Sequence, residues 1–464
     1  VDIDTERTMG VPPGRSVPPS PGENDEAAQR RREQHGWYFY DWACSVYSTS
    51  VLTVFLGPYL TAVAKAAADA DGFVHPLGIP VRAGSFFAYA VSASVVVAIL
   101  VMPLAGAAAD RSGRKKPLLA LCAYLGAAAT AGLFFLDGHR YLLGGLLLIV
   151  ANASMAVSMV VYNSYLPQIA PPEERDAVSS RGWAFGYAAG SLVLIANLVL
   201  FTAHDSFGLS ESMAVRVCLA SAGLWWGAFT LVPLRRLRDR RRAPSASSAP
   251  AVNGWRQLAA TVRDMRSKPL TLAFLLAYLI YNDGIQTVIS QASVYGSQEL
   301  GLSQSTLITA VLLVQVLAVG GALGMGRLAR THGAKRTILG SLVAWTLTLG
   351  AGYFLPAGAP VGFFLLAACI GLVLGGSQAL SRSLFSHLVP PGKEAEYFSA
   401  YELSDRGMSW LGPLLFGITY QVTGSYRDAI ISLVIFFALG FVLLARVPVR
   451  QAVRDAGNPV PERI

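Results

Sequence analysis

The chain has 464 residues, 53% of them hydrophobic and only 14% charged. A soluble domain carries roughly a quarter charged residues, so that class is excluded. The formal charge of +9 does not indicate a nucleic-acid partner, because the cations collect in alternate loops between long apolar runs.

Each of these runs is long enough to cross a hydrocarbon layer of ~30 Å. Twelve are predicted, at 37–64, 84–108, 117–136, 141–166, 183–203, 214–234, 270–297, 305–326, 337–356, 361–385, 399–421 and 428–446. Residues 1–36 are polar and rich in Pro, Gly and charge, which predicts a disordered cytosolic tail and no cleavable leader. The loops on the side of the N-terminus hold 31 of the 37 Lys and Arg, and the opposite loops hold Lys65, Arg82, Arg140, Arg216 and Arg427. By the positive-inside rule both termini are expected in the cytosol.

Span one carries Asp41, with Ser45 and Ser48 at helical steps of four and three. Such a stripe faces protein, whereas a snorkelling interfacial carboxylate between Tyr40 and Trp42 remains the alternative. The loop after span two reads "GAAADRSGRKK" (106–116). Span four offers Asn152, Asn163 and Ser164, read as glue between helices. Residues 235–269 contain "RRLRDRRRAPSASSAP" and then Trp255, Leu258, Ala259, Val262 and Met265 at helical spacing. This predicts a cytosolic linker with an amphipathic surface helix.

Span seven reads "IYNDGIQTVISQ". Asn282 and Gln286 are four apart, and Asp283 heads an adjoining polar stripe near the middle of the span. Gly284 is read as loosening the helix beside it. Asp283 is therefore the expected protonatable group, against the alternative of an Asp bonded across helices to fix packing. Span ten has Gln378 and Arg382 four apart; Arg382 could bind a carboxylate or simply snorkel. In span eleven Glu402 and Arg406 form an i,i+4 pair, with Asp405 beside them, where a structural ion pair is the plain reading. Residues 447–464 are predicted to be a second cytosolic tail. None of the six His lies deep in a span, and the four Cys show no metal-ligand or disulfide spacing. No cofactor, metal or nucleotide loop is expected, and an enzyme is the least favoured class.

The halves repeat. "GAAADRSGRKK" matches "GRLARTHGAKR" (326–336) at an offset of 220, and "NSYLPQIAPPE" (163–173) matches "RSLFSHLVPPG" (382–392) at 219. Same-direction six-span repeats belong to one transporter architecture. With Gly106, Asp110, Arg111, Gly113, Arg114 and Lys116 in the first loop, the chain resembles the major facilitator superfamily. That resemblance implies an all-α fold of two pseudo-symmetric six-helix bundles, 37–234 and 270–446. It also implies a central cavity lined by spans 1, 4, 7 and 10, spans 3, 6, 9 and 12 towards lipid, and a gating role for Asp110 and Arg114. In the second loop Arg330 stands where Asp110 does.

Further stretches resemble the autophagy-related vacuolar amino-acid effluxers and their bacterial relatives. They are Tyr40-Asp41-Trp42-Ala43 with Ser45, Ser180-Arg181-Gly182-Trp183, Asp283-Gly284, Gln378-Ala379-Leu380-Ser381-Arg382, Pro390-Pro391 and Gly412-Pro413. Cys44 and Asp405 depart from the family's usual Asn and small residue. The expected function is secondary transport of a small solute, an amino acid favoured, by alternating access and with possible proton coupling. The expected protein is a monomer in a bacterial inner membrane. A proton-coupled exporter of drugs or hydrophobic compounds is one alternative, and a non-transporting membrane sensor or scaffold another.

Overall fold

Apolar side chains on every face leave these segments one way to satisfy their backbone in lipid, which is to coil. The computed structural model describes residues 21–83, 86–239, 263–407 and 411–464. Ten of its helices are long and apolar enough to cross a membrane. The ninth predicted span is the 20-residue helix Ala334–Tyr353. The eleventh falls in the helices Glu394–Gly407 and Leu411–Thr423. Apart from the helices, a short hairpin pairs Phe73–Val74 with Val81–Arg82 in the loop after span one.

Two apolar cores form. One gathers side chains from Trp37 to Leu237 and takes in Ala395; the other runs from Met265 to Val453. Leu121, Leu224, Leu347 and Leu439, from spans three, six, nine and twelve, are exposed, as leucines facing lipid tails would be.

Both expected tails differ. A helix begins at Pro21 and runs through Val46 into span one, so 21–36 is helical and not disordered. Beyond the last span, Val449–Asp455 is a helix with Val449, Ala452 and Val453 buried. The Asn458 amide then donates to His387 O at 2.9 Å and Val389 O at 2.7 Å. The predicted amphipathic helix lies outside the described residues except for its end. There Asp264 accepts from the Tyr397 hydroxyl at 2.6 Å and pairs with Lys393 at 2.9 Å. Burial pushes the Asp264 carboxyl up, but Tyr397 and Lys393 outweigh it and hold it below its usual value.

Candidate functional site

Span five (Arg175–Thr202) presents Gly182, Gly186 and Gly190 four residues apart, and span one lays Asp41, Ser45 and Thr49 into them. A Cβ on these glycines would come within 2.6 Å of Asp41 Oδ2, 2.5 Å of Ser45 Oγ and 2.7 Å of Thr49 Oγ1. Small residues at this spacing let helix backbones approach in lipid. The polar stripe of span one is thus Asp41–Ser45–Thr49; Ser48, expected in it, is exposed. A π-helical segment, Tyr47–Phe55, follows Asp41 and Ser45.

Asp41 is 5% exposed and Arg382 2%, so neither snorkels. They meet across the seam between the halves: Arg382 Nη2 lies 3.4 Å from Asp41 Oδ2. The Tyr162 hydroxyl donates to the same oxygen at 2.6 Å. Arg382 also donates through Nε to Ser179 Oγ at 2.9 Å, through Nη2 to Ser179 O at 2.9 Å, and through Nη1 to Asn163 Oδ1 at 3.4 Å. Its guanidinium lies over Trp37, Trp183 and Tyr162, 4.7, 5.3 and 5.7 Å from the ring centroids. One cation is thus held by one carboxylate, several neutral acceptors and three aromatic faces. The Ser180-Arg181-Gly182-Trp183 stretch gains a reason: Gly182 leaves room for the ion pair and Trp183 covers it.

Around the pair the seam is stitched by neutral and charged contacts. Asn163 Nδ2 donates to Glu402 Oε1 at 2.8 Å. Ser179 Oγ donates to Ala379 O at 2.7 Å, and Arg175 Nη1 to Ser386 O at 2.9 Å. Lys115 pairs with Glu394 at 3.6 Å, both nearly buried, and a Cβ on Gly106 would stand 2.8 Å from Ala395 O. Towards the other end Tyr187 donates to Gln378 at 3.3 Å and Gln315 to Thr49 at 3.2 Å. Most of these contacts gather towards one end of the seam. The seam is closed at the basic end, the end that carries the Lys- and Arg-rich loops.

Pseudo-symmetry shapes this seam. Asn163 and Arg382 stand at matched positions of the repeat, 219 residues apart. Each reaches into the other half, Arg382 to Ser179 and Trp183 of span five, Asn163 to Glu402 of span eleven. Asn163 is thus glue between helices as expected, and the helices it joins belong to different halves.

The gating loop is only partly as expected. Gly113 takes φ +60°, a left-handed turn that suits glycine. Arg114 is exposed, and the side chains of Asp110 and Arg111 lie outside the described residues. A loop cation that crosses the seam is Lys115, through its pair with Glu394. The backbone N–H of Lys116 donates to Asp239 Oδ1 at 2.9 Å. The side chains of Asp405 and Arg406 are likewise outside the described residues.

Span seven holds its carboxylate apart from the seam pair. Asp283 is 3% exposed, and its Oδ2 accepts the Gly412 N–H at 2.8 Å. Gly412 stands in the first turn of the helix Leu411–Thr423, where backbone N–H groups have no intrahelical acceptor, so Asp283 satisfies one of these donors. Gly284 serves close packing, since a Cβ there would stand 2.9 Å from Phe436 Cβ; the helix Pro269–Val294 runs through it unbroken. Asn282 is buried and Gln286 half-buried on the same span. An Asn at 283 would still accept from Gly412, whereas Leu would strand the donor, at a cost of roughly 1–3 kcal/mol. Asp283→Asn is accordingly expected to unfold within a few degrees of the parent and Asp283→Leu clearly earlier. A shift as large for Asn as for Leu in a thermal melt would mean that the charge itself is needed.

Sequence reasoning missed Trp37, Tyr162, Ser179, Lys115 and Glu394. The near-equal repeat offsets were the available signal, since Tyr162-Asn163 aligns with Ser381-Arg382.

Comparison with known proteins bears on the family and the fold. Residues 29–457 match the family described as "Vacuole effluxer Atg22 like". The chain is 30% identical over 423 residues to the uncharacterized MFS-type transporter YxiO of Bacillus subtilis, covering 90% of this chain and 95% of the relative. It is 26% identical over 570 residues to autophagy-related protein 22-1 of Aspergillus niger, covering 95% and 92%. Among solved structures it is similar to the major facilitator transporter FucP in the outward conformation, with TM-score 0.66 and 14% identity over 89% of this chain and 98% of the other. A bacterial homologue of the iron transporter ferroportin in an outward-facing state gives TM-score 0.61 and 16% identity over 90% and 98%. The two six-helix cores, the repeated loops and these matches make the chain a membrane transporter of the major facilitator fold, and it belongs to the Atg22-like vacuole effluxer family.

Proposed function

We propose that this transporter moves small zwitterions, neutral amino acids foremost, and that Arg382 is the receptor for their carboxylate. The supporting observation is the Arg382–Asp41 pair: a fully buried guanidinium that meets a carboxylate of the other half. A substrate carboxylate reaching the seam from the open end would compete with Asp41 for that cation, and aromatic faces would take its side chain. Asp41, set free, would then stand in a nearly dry site without a counter-charge, at a cost of several kcal/mol unless a proton neutralises it. Substrate binding, proton uptake and loosening of the seam would thus be one event. Asn282, Gln286 and Gln378 supply further hydrogen bonds, and Asp283 has the positional role set by Gly412. Glu402, held by Asn163, loosens with the seam. The basic end is taken to face the cytosol of a bacterial inner membrane, as the charge distribution favours.

Purified protein screened by thermal unfolding provides the test. Leucine or another neutral amino acid is expected to raise the melting temperature, leucinamide, which lacks the carboxylate, is not, and Arg382→Gln is expected to lose the response. Stabilisation by hydrophobic cationic dyes, indifferent to Arg382→Gln, would replace this reading with a drug exporter.

A further inference from the structure

Span five brings a carboxylate into the seam that recognition at Arg382 leaves without a task. Asp176 lies in the first turn of the helix Arg175–Thr202 and is 9% exposed. Ser180 follows four residues on, on the same helix face. Two helices of the other half cover this face. Span eight, the helix Gln304–His332, brings Gly326 so close that a Cβ there would strike Ser180 Oγ and stand 3.7 Å from Asp176 O. Span ten, the helix Pro360–His387, sets Ser383 facing the Asp176 carboxylate. Asp176 Oδ1, Ser180 Oγ and Ser383 Oγ are buried, and none has a hydrogen-bond partner of good geometry among the described residues.

The charged groups around Asp176 are engaged elsewhere or exposed. Arg175 is near enough to attract the carboxylate, but its guanidinium donates to Ala170 O at 3.1 Å and Ser386 O at 2.9 Å, with His387 against it. On span ten Arg382 is held by Asp41 and Ser179. On span eight Arg327 and Arg330 are exposed. Among the described residues no ion pair reaches Asp176.

The repeat shows that packing does not ask for an acid here. At an offset of 219 Asp176 matches Ala395 and Ser180 matches Ser399, and at 220 Gly326 matches Gly106. The twin contact is built the same way: a Cβ on Gly106 would stand 2.8 Å from Ala395 O and 3.1 Å from Ser399 Cβ. Ser399 Oγ is likewise buried without a hydrogen bond. Two matched contacts thus close the seam, one with an alanine and one with an acid that no touching cation neutralises.

A carboxylate left so in a dry contact takes up a proton rather than stay charged. We propose that Asp176 is protonated while the basic end is closed and gives that proton to entering water when spans eight and ten part from span five. The O–H on Oδ1 has Ser383 Oγ and Ser180 Oγ to donate to in the closed form. Opening breaks that O–H bond, passes the proton to water and leaves a hydrated carboxylate; closing reverses each step. The closed form then holds one proton more than the open form. Low pH favours closure, and the ratio of open to closed rises with pH by up to about tenfold per unit. This proton is distinct from the one assigned to Asp41, because its uptake needs no substrate and does not depend on what Arg382 recognises.

Spin labels at Ser112 and Thr331, exposed at the basic end of opposite halves, test this in substrate-free protein over about pH 5–8. In the parent the long-distance population is expected to grow at least tenfold relative to the short one as pH rises. Asp176→Asn keeps the shape and cannot ionise, and should stay closed throughout. Asp176→Ala, which copies the twin contact, should do the same. Asp41→Asn/Arg382→Gln removes the other proton site and should keep the pH response. A parent distribution that ignores pH, a response that persists in both Asp176 variants, or one that vanishes in the Asp41→Asn/Arg382→Gln protein would each overturn the proposal.

Discussion

Asp41→Asn is expected to open the basic end of the transporter while leaving each six-helix bundle folded. The Asn side chain still accepts from Tyr162, so the geometry of span one survives, but Arg382 loses the carboxylate it pairs with. Removing one member of a buried pair costs roughly 3–5 kcal/mol. Here the lower end applies, because Ser179, Asn163 and three aromatic rings go on holding the guanidinium. About 3 kcal/mol, set against a conformational equilibrium and not against folding, shifts it by a factor of about a hundred. Spin labels at Ser112 and Thr331, both exposed at the basic end of opposite halves, should report longer distances in the variant. Accumulation driven by a pH gradient in proteoliposomes should be lost, while counterflow of substrate partly survives. The double variant Asp41→Asn/Arg382→Gln should recover part of the closed population, because the stranded charge is gone. A wild-type distance distribution and wild-type accumulation in Asp41→Asn would refute the role assigned to the pair.

A second large effect is expected at the other charge contact of the seam. Lys115→Glu sets a second carboxylate facing Glu394 where an ion pair 3.6 Å apart stood, with both side chains about a tenth exposed or less. Repulsion there is not screened as it would be in water, so closure should fail and transport should drop at least tenfold. Glu394→Lys alone should do the same by setting two cations together. The swap Lys115→Glu/Glu394→Lys restores the attraction and is expected to recover at least half of the rate. If the swap stays as inactive as either single variant, Lys115 acts through its bond to Ser164 O at 3.4 Å and not through Glu394.

Hydropathy made the spans legible because each must be apolar for some 20 residues whatever its neighbours do. The duplication was legible too, from two loops at nearly one offset. The seam was not. Asp41 and Arg382 are 341 residues apart, and their meeting depends on the rotation of two helices that glycines in a third allow to approach. Gly182, Gly186 and Gly190 were in view, but a glycine ladder states that something comes close and not what. For Asp283 the missing knowledge was a backbone donor, Gly412 N–H, which no side-chain pattern announces. Lys115 did not stand out because a lysine in a basic loop looks the same whether it faces water or a glutamate 279 residues on. The tail at 21–36 was misread for a related reason: its charge suits solvent, yet span one continues back through it as helix.

The matched positions of Asn163 and Arg382 bear on how such a chain arose. When a six-helix unit was first copied and joined to itself, both positions carried the same residue and faced each other across the new axis. Two arginines there would have set like charges together in a dry seam, and two asparagines would have held no anion. Divergence to one of each removed the conflict and made the halves unlike. A consequence can be checked on split genes: the first half paired with the second should assemble into a working carrier, whereas two first halves or two second halves should remain inert, since neither pairing sets one cation against one anion.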